Sequence, residues 1–261
     1  MIDRVEIISV FQNYTKDYNE AINDIDRKIL HTFRVAKAAQ TIAEGMGMVA
    51  DDVDLAWFLG ILHDTGRFEQ ERRFGTYVDA ISVDHAELGA DILFLDGFID
   101  RYPTEGLPEG WRALCETAVR LHNKLELPSH LDPRTRLFCQ LIRDADKTDI
   151  FRVVATTPFD QLVGKGRSRF TDDPAASDEV MACVYSHRCV PRKIVKSVFE
   201  SMITNCCMAF DLELEVTRRV VKDQGYLLQI LHRGENEIQR QQLSIAQKEI
   251  EAAWGISLEE P

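Results

Sequence analysis

The sequence contains no run approaching the ~18 consecutive apolar residues of a membrane-spanning helix, so an integral membrane protein of that type is not expected. It also lacks any CxxC pair: the six cysteines stand at 115, 139, 183, 189, 206 and 207, two of them adjacent. That spacing suits neither a disulfide framework nor a zinc knuckle, and buried thiols in a reducing compartment are the expected state. Positive charge is scarce, with 31 Lys and Arg against 43 Asp and Glu and a net charge of −12. The resulting field repels polyanions, which excludes a protein that coats nucleic acid or binds anionic membranes. A small phosphorylated substrate stays open, because a local basic cluster or a bound cation reverses the field within one cleft. The opening segment MIDRVEIISVFQNY has no long apolar core of the signal-peptide kind, so a soluble, cytoplasmic protein is expected. Glycine-rich GKGRSR at 164–169 lacks the P-loop spacing, and no Ser-His-Asp nucleophile elbow is visible. There is no internal repeat and no low-complexity tract.

What is present is helical periodicity. Apolar residues make up 45% of the 261-residue chain, enough for a substantial core. Helices are expected near 3–21, 26–45, 52–64, 83–95, 110–124, 134–154, 177–188, 191–210, 212–232 and 235–253. Asp24 and Asp26 are candidate caps for the second of these. The stretch 65–82, with Gly66, Gly75 and three arginines, reads as a loop. The glutamine- and glutamate-rich tail after Gly234 reads as a surface or dimer-packing helix, which leaves a homodimer open. The expectation is an all-α chain folded as one domain over 1–261, with a core at 26–155 and a C-terminal helical extension at 156–261.

Four of the seven histidines occupy inward-facing positions on four different helices. His31 shares a face with Val35, Ala38 and Ile42. His63 and Asp64 end LAWFLGIL, the most apolar segment of the chain. His85 heads a face continuing through Leu88, Gly89 and Ile92, and His122 lies with Trp111, Cys115 and Ala118. A single inward histidine is more often a satisfied core residue. Four of them with an aspartate are explained more economically by convergence on a metal, since imidazole and carboxylate are preferred ligands of zinc, iron and manganese. A buried carboxylate at Asp64 also needs a cation, because leaving it unpaired costs several kcal/mol. A further carboxylate is expected from RDADKTDI at 143–150, where periodicity does not separate Asp144 from Asp146.

The ordered set of His31, LGILHDTGR at 59–67 and RDADKTDI at 143–150 resembles the HD superfamily of metal-dependent phosphohydrolases. The resemblance spans 31–146, somewhat under half of the chain. It implies an all-α fold of the HD-domain type and a metal held by His31, His63, Asp64 and Asp146, with Asp146 rather than Asp144 matching the family's last ligand. DHAELGADIL at 84–93 and LHNK at 121–124 resemble the extra histidine positions of two-metal members, which adds His85 and His122. Asn123 departs from relatives that carry a second adjacent histidine there.

The chemistry that follows is hydrolysis of a phosphomonoester or phosphoanhydride, nucleotides included. A bound divalent ion lowers the pKa of its water from 15.7 toward about 7. One or two ions drawn from Fe, Mn, Zn, Mg or Ni are the expected cofactor, with Asp64 as the natural bridge. Arg67 and Lys147 adjoin ligand segments and are the expected phosphate contacts. Arg72 and Arg73 serve the same end or pair with Glu69 and Glu71. Two rival readings remain: a di-iron oxygenase of the HD type, and a non-catalytic, ligand-sensing HD protein.

Overall fold

In a computed structural model, residues 2–18, 25–158 and 171–259 are described. The candidate cap Asp24 and the segment 164–169 lie outside them. The fold is all-α, and among the described residues extended pairing is limited to one isolated bridge between Thr171 and Ser197. No described helix is long and apolar enough to cross a membrane. The chain divides into two compact units, Met1–Asp146 and Lys147–Pro261.

The first unit opens with α1 (Arg4–Lys16), whose N-terminal amides at Val5 and Glu6 are capped by the Asp3 carboxylate. Helices α2 (Ile25–Gly45) and α3 (Ala50–Leu62) pack side by side. Their approach is set by Gly60, where an added Cβ would lie 2.4 Å from the Ala36 Cα. Every residue of α3 from Asp54 to Leu62 is buried, which is why this segment carries no polar face. Asp54 is tolerated there because it accepts from the Ile2 amide and pairs with Arg4 at 2.8 Å.

The stretch after Asp64 corrects the loop expected from sequence. The chain turns for only two residues, His63 and Asp64, and resumes as α4 (Thr65–Phe74). Gly66 is not a turn residue. A Cβ there would fall 2.2 Å from the His85 carbonyl, so glycine is required for α4 to lie against α5 (His85–Ala90). Gly75, at φ 63°, ends α4 in the left-handed conformation. The Asp84 side chain caps α5, which runs on as a π-turn over Asp91–Leu95. Helix α6 (Trp111–Leu121) ends at His122, and α7 (Pro133–Thr156) carries Asp144 and Asp146.

The second unit is built from α8 (Asp178–Tyr185), α9 (Val198–Cys207), α10 (Glu215–Gln224), α11 (Tyr226–Leu231) and α12 (Glu237–Trp254). The helix expected over 191–210 starts only at Val198, where Ser197 and Glu200 form a reciprocal capping box. The one expected over 212–232 is broken by Gly225 at φ 70°. Tail helix α12 is more than a surface helix: Leu243, Ala246, Ile250 and Trp254 are buried in this unit's core, and the indole donates to the Ala209 carbonyl at 3.0 Å. All six cysteines are free thiols, five of them buried.

Candidate metal centre

The first unit brings His31, His63, Asp64, His85 and His122, all buried, together with the partly exposed Asp146 into one cluster. Each comes from a different local device. His31 projects from the apolar stripe of α2 that continues through Val35, Ala39 and Ile42. His63 and Asp64 occupy the turn between α3 and α4, His85 starts α5, and His122 follows the last turn of α6. Asp146 and Asp144 part company on α7. The Asp146 Oδ1 lies 3.1 Å from His31 Nε2 and 3.9 Å from His63 Nε2. Asp144 instead accepts from the Gln140 amide at 2.7 Å. Periodicity could not separate them because α7 is buried on all sides from Phe138 to Ala145.

Asp64 is the centre of the cluster, and its two oxygens face different partners. Oδ2 lies 3.6 Å from His31 Nε2 and 3.7 Å from His63 Nε2. Oδ1 lies 3.5 Å from His85 Nε2 and 3.7 Å from His122 Nε2. Donor atoms bound to a common ion at ~2.1 Å stand roughly 3–3.5 Å apart, so both separations are close to those of shared coordination.

The imidazoles are oriented for that task. His63 Nδ1 donates to the Gly60 carbonyl and His122 Nδ1 to the Val119 carbonyl, each at 2.8 Å. His85 Nδ1 donates to Asp79 Oδ2 at 2.7 Å. With the ring proton committed at Nδ1, each Nε2 offers its lone pair to the cluster. His63 Nε2 is buried and makes no hydrogen bond, and the Nε2 atoms of His85 and His122 face each other at 3.0 Å. Buried lone pairs aimed at one another and at a carboxylate are unfavourable alone and are satisfied by a cation. The donor set therefore fits a divalent metal, in two groups that share Asp64: His31, His63 and Asp64, and Asp64, His85 and His122.

The electrostatics agree. Burial opposes the charge on Asp64, but Lys28, then His63, His122 and Arg67, outweigh it and hold the carboxyl well below its ordinary range. At Asp146 burial is likewise overcome, by His31 and then His63. Burial pushes His63 down to about 4 against the pull of Asp64 and Asp146. Burial, followed by the Arg67 guanidinium, brings His85 to about 4 while Asp79 pulls the other way. Both rings are thus neutral near pH 7, whereas an unfolded chain's histidines protonate near about 6.5. Between about pH 4 and 6.5 the unfolded state binds more protons, so stability is lost as pH falls through that window. The metal-free protein is expected to melt about 5 °C or more lower at about pH 4.5 than at about pH 7. A melting temperature constant over that range would contradict burial of two neutral rings.

The basic residues are placed unevenly. Arg67 sits at the cluster with Nε 3.5 Å from Asp64 Oδ1, while its Nη1 donates to Asp79, Gln70 and the Tyr77 carbonyl at 2.7–2.9 Å. Lys147 belongs to the second unit and pairs there with Asp211 at 2.7 Å. Arg72 and Arg73 both pair with the buried Glu69 carboxylate rather than with Glu71. Sequence reasoning missed two residues. Lys28 donates to Asp64 Oδ2 at 2.8 Å, and its place one turn before His31 was the available signal. Asp79 had none, because a short 3₁₀ turn at Asp79–Ile81 brings it back to His85. Asn123 donates to both Asp84 and Asp79, so it ties two carboxylates together instead of adding an imidazole.

An all-α protein with a buried, shared-carboxylate His/Asp cluster defines the class: a helical domain suited to divalent metal. More particularly, residues 29–150 match the model of the HD domain family, a family mostly of metal-dependent phosphohydrolases. Comparison with curated proteins and with solved structures found no match.

Proposed function

We propose that the protein is a metal-dependent phosphohydrolase that cleaves a small phosphomonoester or phosphoanhydride, nucleotides included. One observation carries this reading: the two oxygens of Asp64 divide between the His31–His63 and the His85–His122 pairs. That arrangement would let two divalent ions be held, one by His31, His63, Asp64 and Asp146 and the other by Asp64, His85 and His122. Two such ions, when bound, supply a hydrolytic nucleophile at neutral pH and stabilise an in-line displacement at phosphorus. The chain's own residues orient the rest. Gly60, Val119 and Asp79 fix the imidazole tautomers. Lys28 and Arg67, lying 2.8 and 3.5 Å from Asp64, place positive charge where an anionic phosphoryl group would dock. We assign the phosphate contact to Lys28 with Arg67, because both cations lie at the Asp64 carboxylate, whereas the Lys147 ammonium is held by Asp211.

Elemental analysis of purified protein, joined to a phosphatase screen over nucleotides and small phosphate esters, tests the reading. About two ions per chain and metal-dependent phosphate release are the expected results. Two redox-active irons with substrate-dependent oxygen uptake and no phosphate release would replace the hydrolase by an oxygenase. A fully folded protein that takes up no metal under replete conditions would leave neither enzyme.

A further inference from the structure

Asp79 lies outside every ligand segment, yet its carboxylate is engaged on both oxygens. Oδ2 accepts from His85 Nδ1 at 2.7 Å and from Asn123 Nδ2 at 3.3 Å. Oδ1 accepts from Arg67 Nη1 at 2.8 Å and Gln70 Nε2 at 2.9 Å. Gln70 is fully buried, and its amide cannot turn over. Its Nε2 also donates to the Val83 carbonyl at 2.9 Å, while its Oε1 receives Arg67 Nη1 at 2.9 Å. Four donors thus converge on one half-buried carboxylate.

We infer that Asp79 is a positioning residue: it locks His85 in the Nδ1–H tautomer, so that Nε2 is bare toward Asp64, and it thereby sets the affinity of the second metal position. The role rests on the two-ion reading above, but the tautomer lock is a property of the metal-free chain. The same carboxylate holds Arg67 beside Asp64, so it couples the orientation of one imidazole to the placement of one cation.

The substitution Asp79→Asn separates this role from simple packing, because it keeps the shape and exchanges one acceptor for a donor. An amide oxygen turned toward Arg67 and Gln70 leaves the NH2 against His85 Nδ1 and, at the longer 3.3 Å, against the neutral Asn123 amide. The ring must then accept at Nδ1 and carry its proton on Nε2, where the proton blocks coordination. The opposite orientation sets the NH2 against two close donors, at 2.8 and 2.9 Å, one of them a guanidinium, and is the costlier of the two.

The experiment uses full-length, histidine-¹⁵N-labelled protein stripped of metal by chelation, observed by long-range ¹H–¹⁵N correlation near neutral pH. Wild-type His85 is expected to show a protonated Nδ1 and a bare Nε2, and Asp79→Asn is expected to reverse them. In parallel, Mn²⁺ titration of each protein should show one of the two ions bound about 10–100-fold more weakly in the variant, with the other unchanged. An unchanged His85 tautomer in a folded variant overturns the inference, as does equal weakening of both ions. If the variant fails to fold, the wild-type spectrum decides, since an Nε2–H tautomer at His85 is incompatible with the lock. A wild-type chain that binds one ion or none, yet shows the tautomer reversal, would retain the lock and sink the two-ion reading alone.

Discussion

Asp64→Asn is expected to lower phosphate release by on the order of 10³-fold or more, equivalent to about 4 kcal/mol of transition-state stabilisation. The size of the effect follows from sharing. Asp64 contributes one oxygen to each histidine pair, and among the described residues no other carboxylate is seen near both pairs. The amide keeps the volume but presents an NH2 to one of those halves. Removing the negative charge also takes from Lys28 the carboxylate it pairs with at 2.8 Å, while Arg67 keeps its ion pair with Asp79. Metal content should fall from about two ions to less than one. The helical fold should persist, because α2, α3 and α6 keep their apolar faces. Kinetics, elemental analysis and circular dichroism on the same preparation check the three parts. Near-normal turnover with full metal would remove Asp64 from the centre of the site.

A large effect on stability is expected at Gly60. A methyl group there would meet the Ala36 Cα at 2.4 Å, its amide nitrogen at 2.8 Å and its Cβ at 3.0 Å. The first two are backbone atoms, so relief requires α2 and α3 to move apart rather than one side chain to turn. Overpacking of this kind commonly costs about 1–3 kcal/mol, and rigid backbone on both sides puts Gly60→Ala at the upper end. The melting temperature should drop by roughly 6–12 °C. Metal binding should weaken with it, because α2 carries His31 and the end of α3 leads into His63. Gly47→Ala is the matched control: its Cβ would meet nothing within 4 Å, and only its φ of 70° resists. That position should cost about 1 kcal/mol and leave metal affinity alone. Equal melting temperatures for the two variants would refute the close approach of α2 and α3.

Two residues show the limit of sequence reasoning in the same segment. Gly66, read as a turn, is the small residue that lets one helix backbone touch another, and the helix therefore continues to Phe74. Glycine in a polar, arginine-rich stretch gives one local signal for both situations, and only the neighbouring helix tells them apart. The arginines were similarly ambiguous. Arg72 and Arg73 are absorbed by Glu69, a partner at helical spacing, while Arg67 reaches Asp79, which is twelve residues away along the chain.

By itself the sequence determined the all-α class, the inward positions of His31, His63, His85 and His122, and the pairing of apolar helix with HD dipeptide at 59–64. These are properties of short-range periodicity and composition, which a helix expresses wherever it packs. Periodicity left Asp144 and Asp146 equivalent, and only the resemblance to a family pointed to Asp146. The tertiary structure shows Asp146 facing His31 while Asp144 turns to Gln140, and it alone brings Asp79 to the cluster. It also decided that the two oxygens of one aspartate look in different directions. Such facts depend on how separate helices are rotated and spaced against one another. A helix buried on all sides carries no sequence record of which face meets a carboxylate, and a turn carries none of which imidazole it will hold.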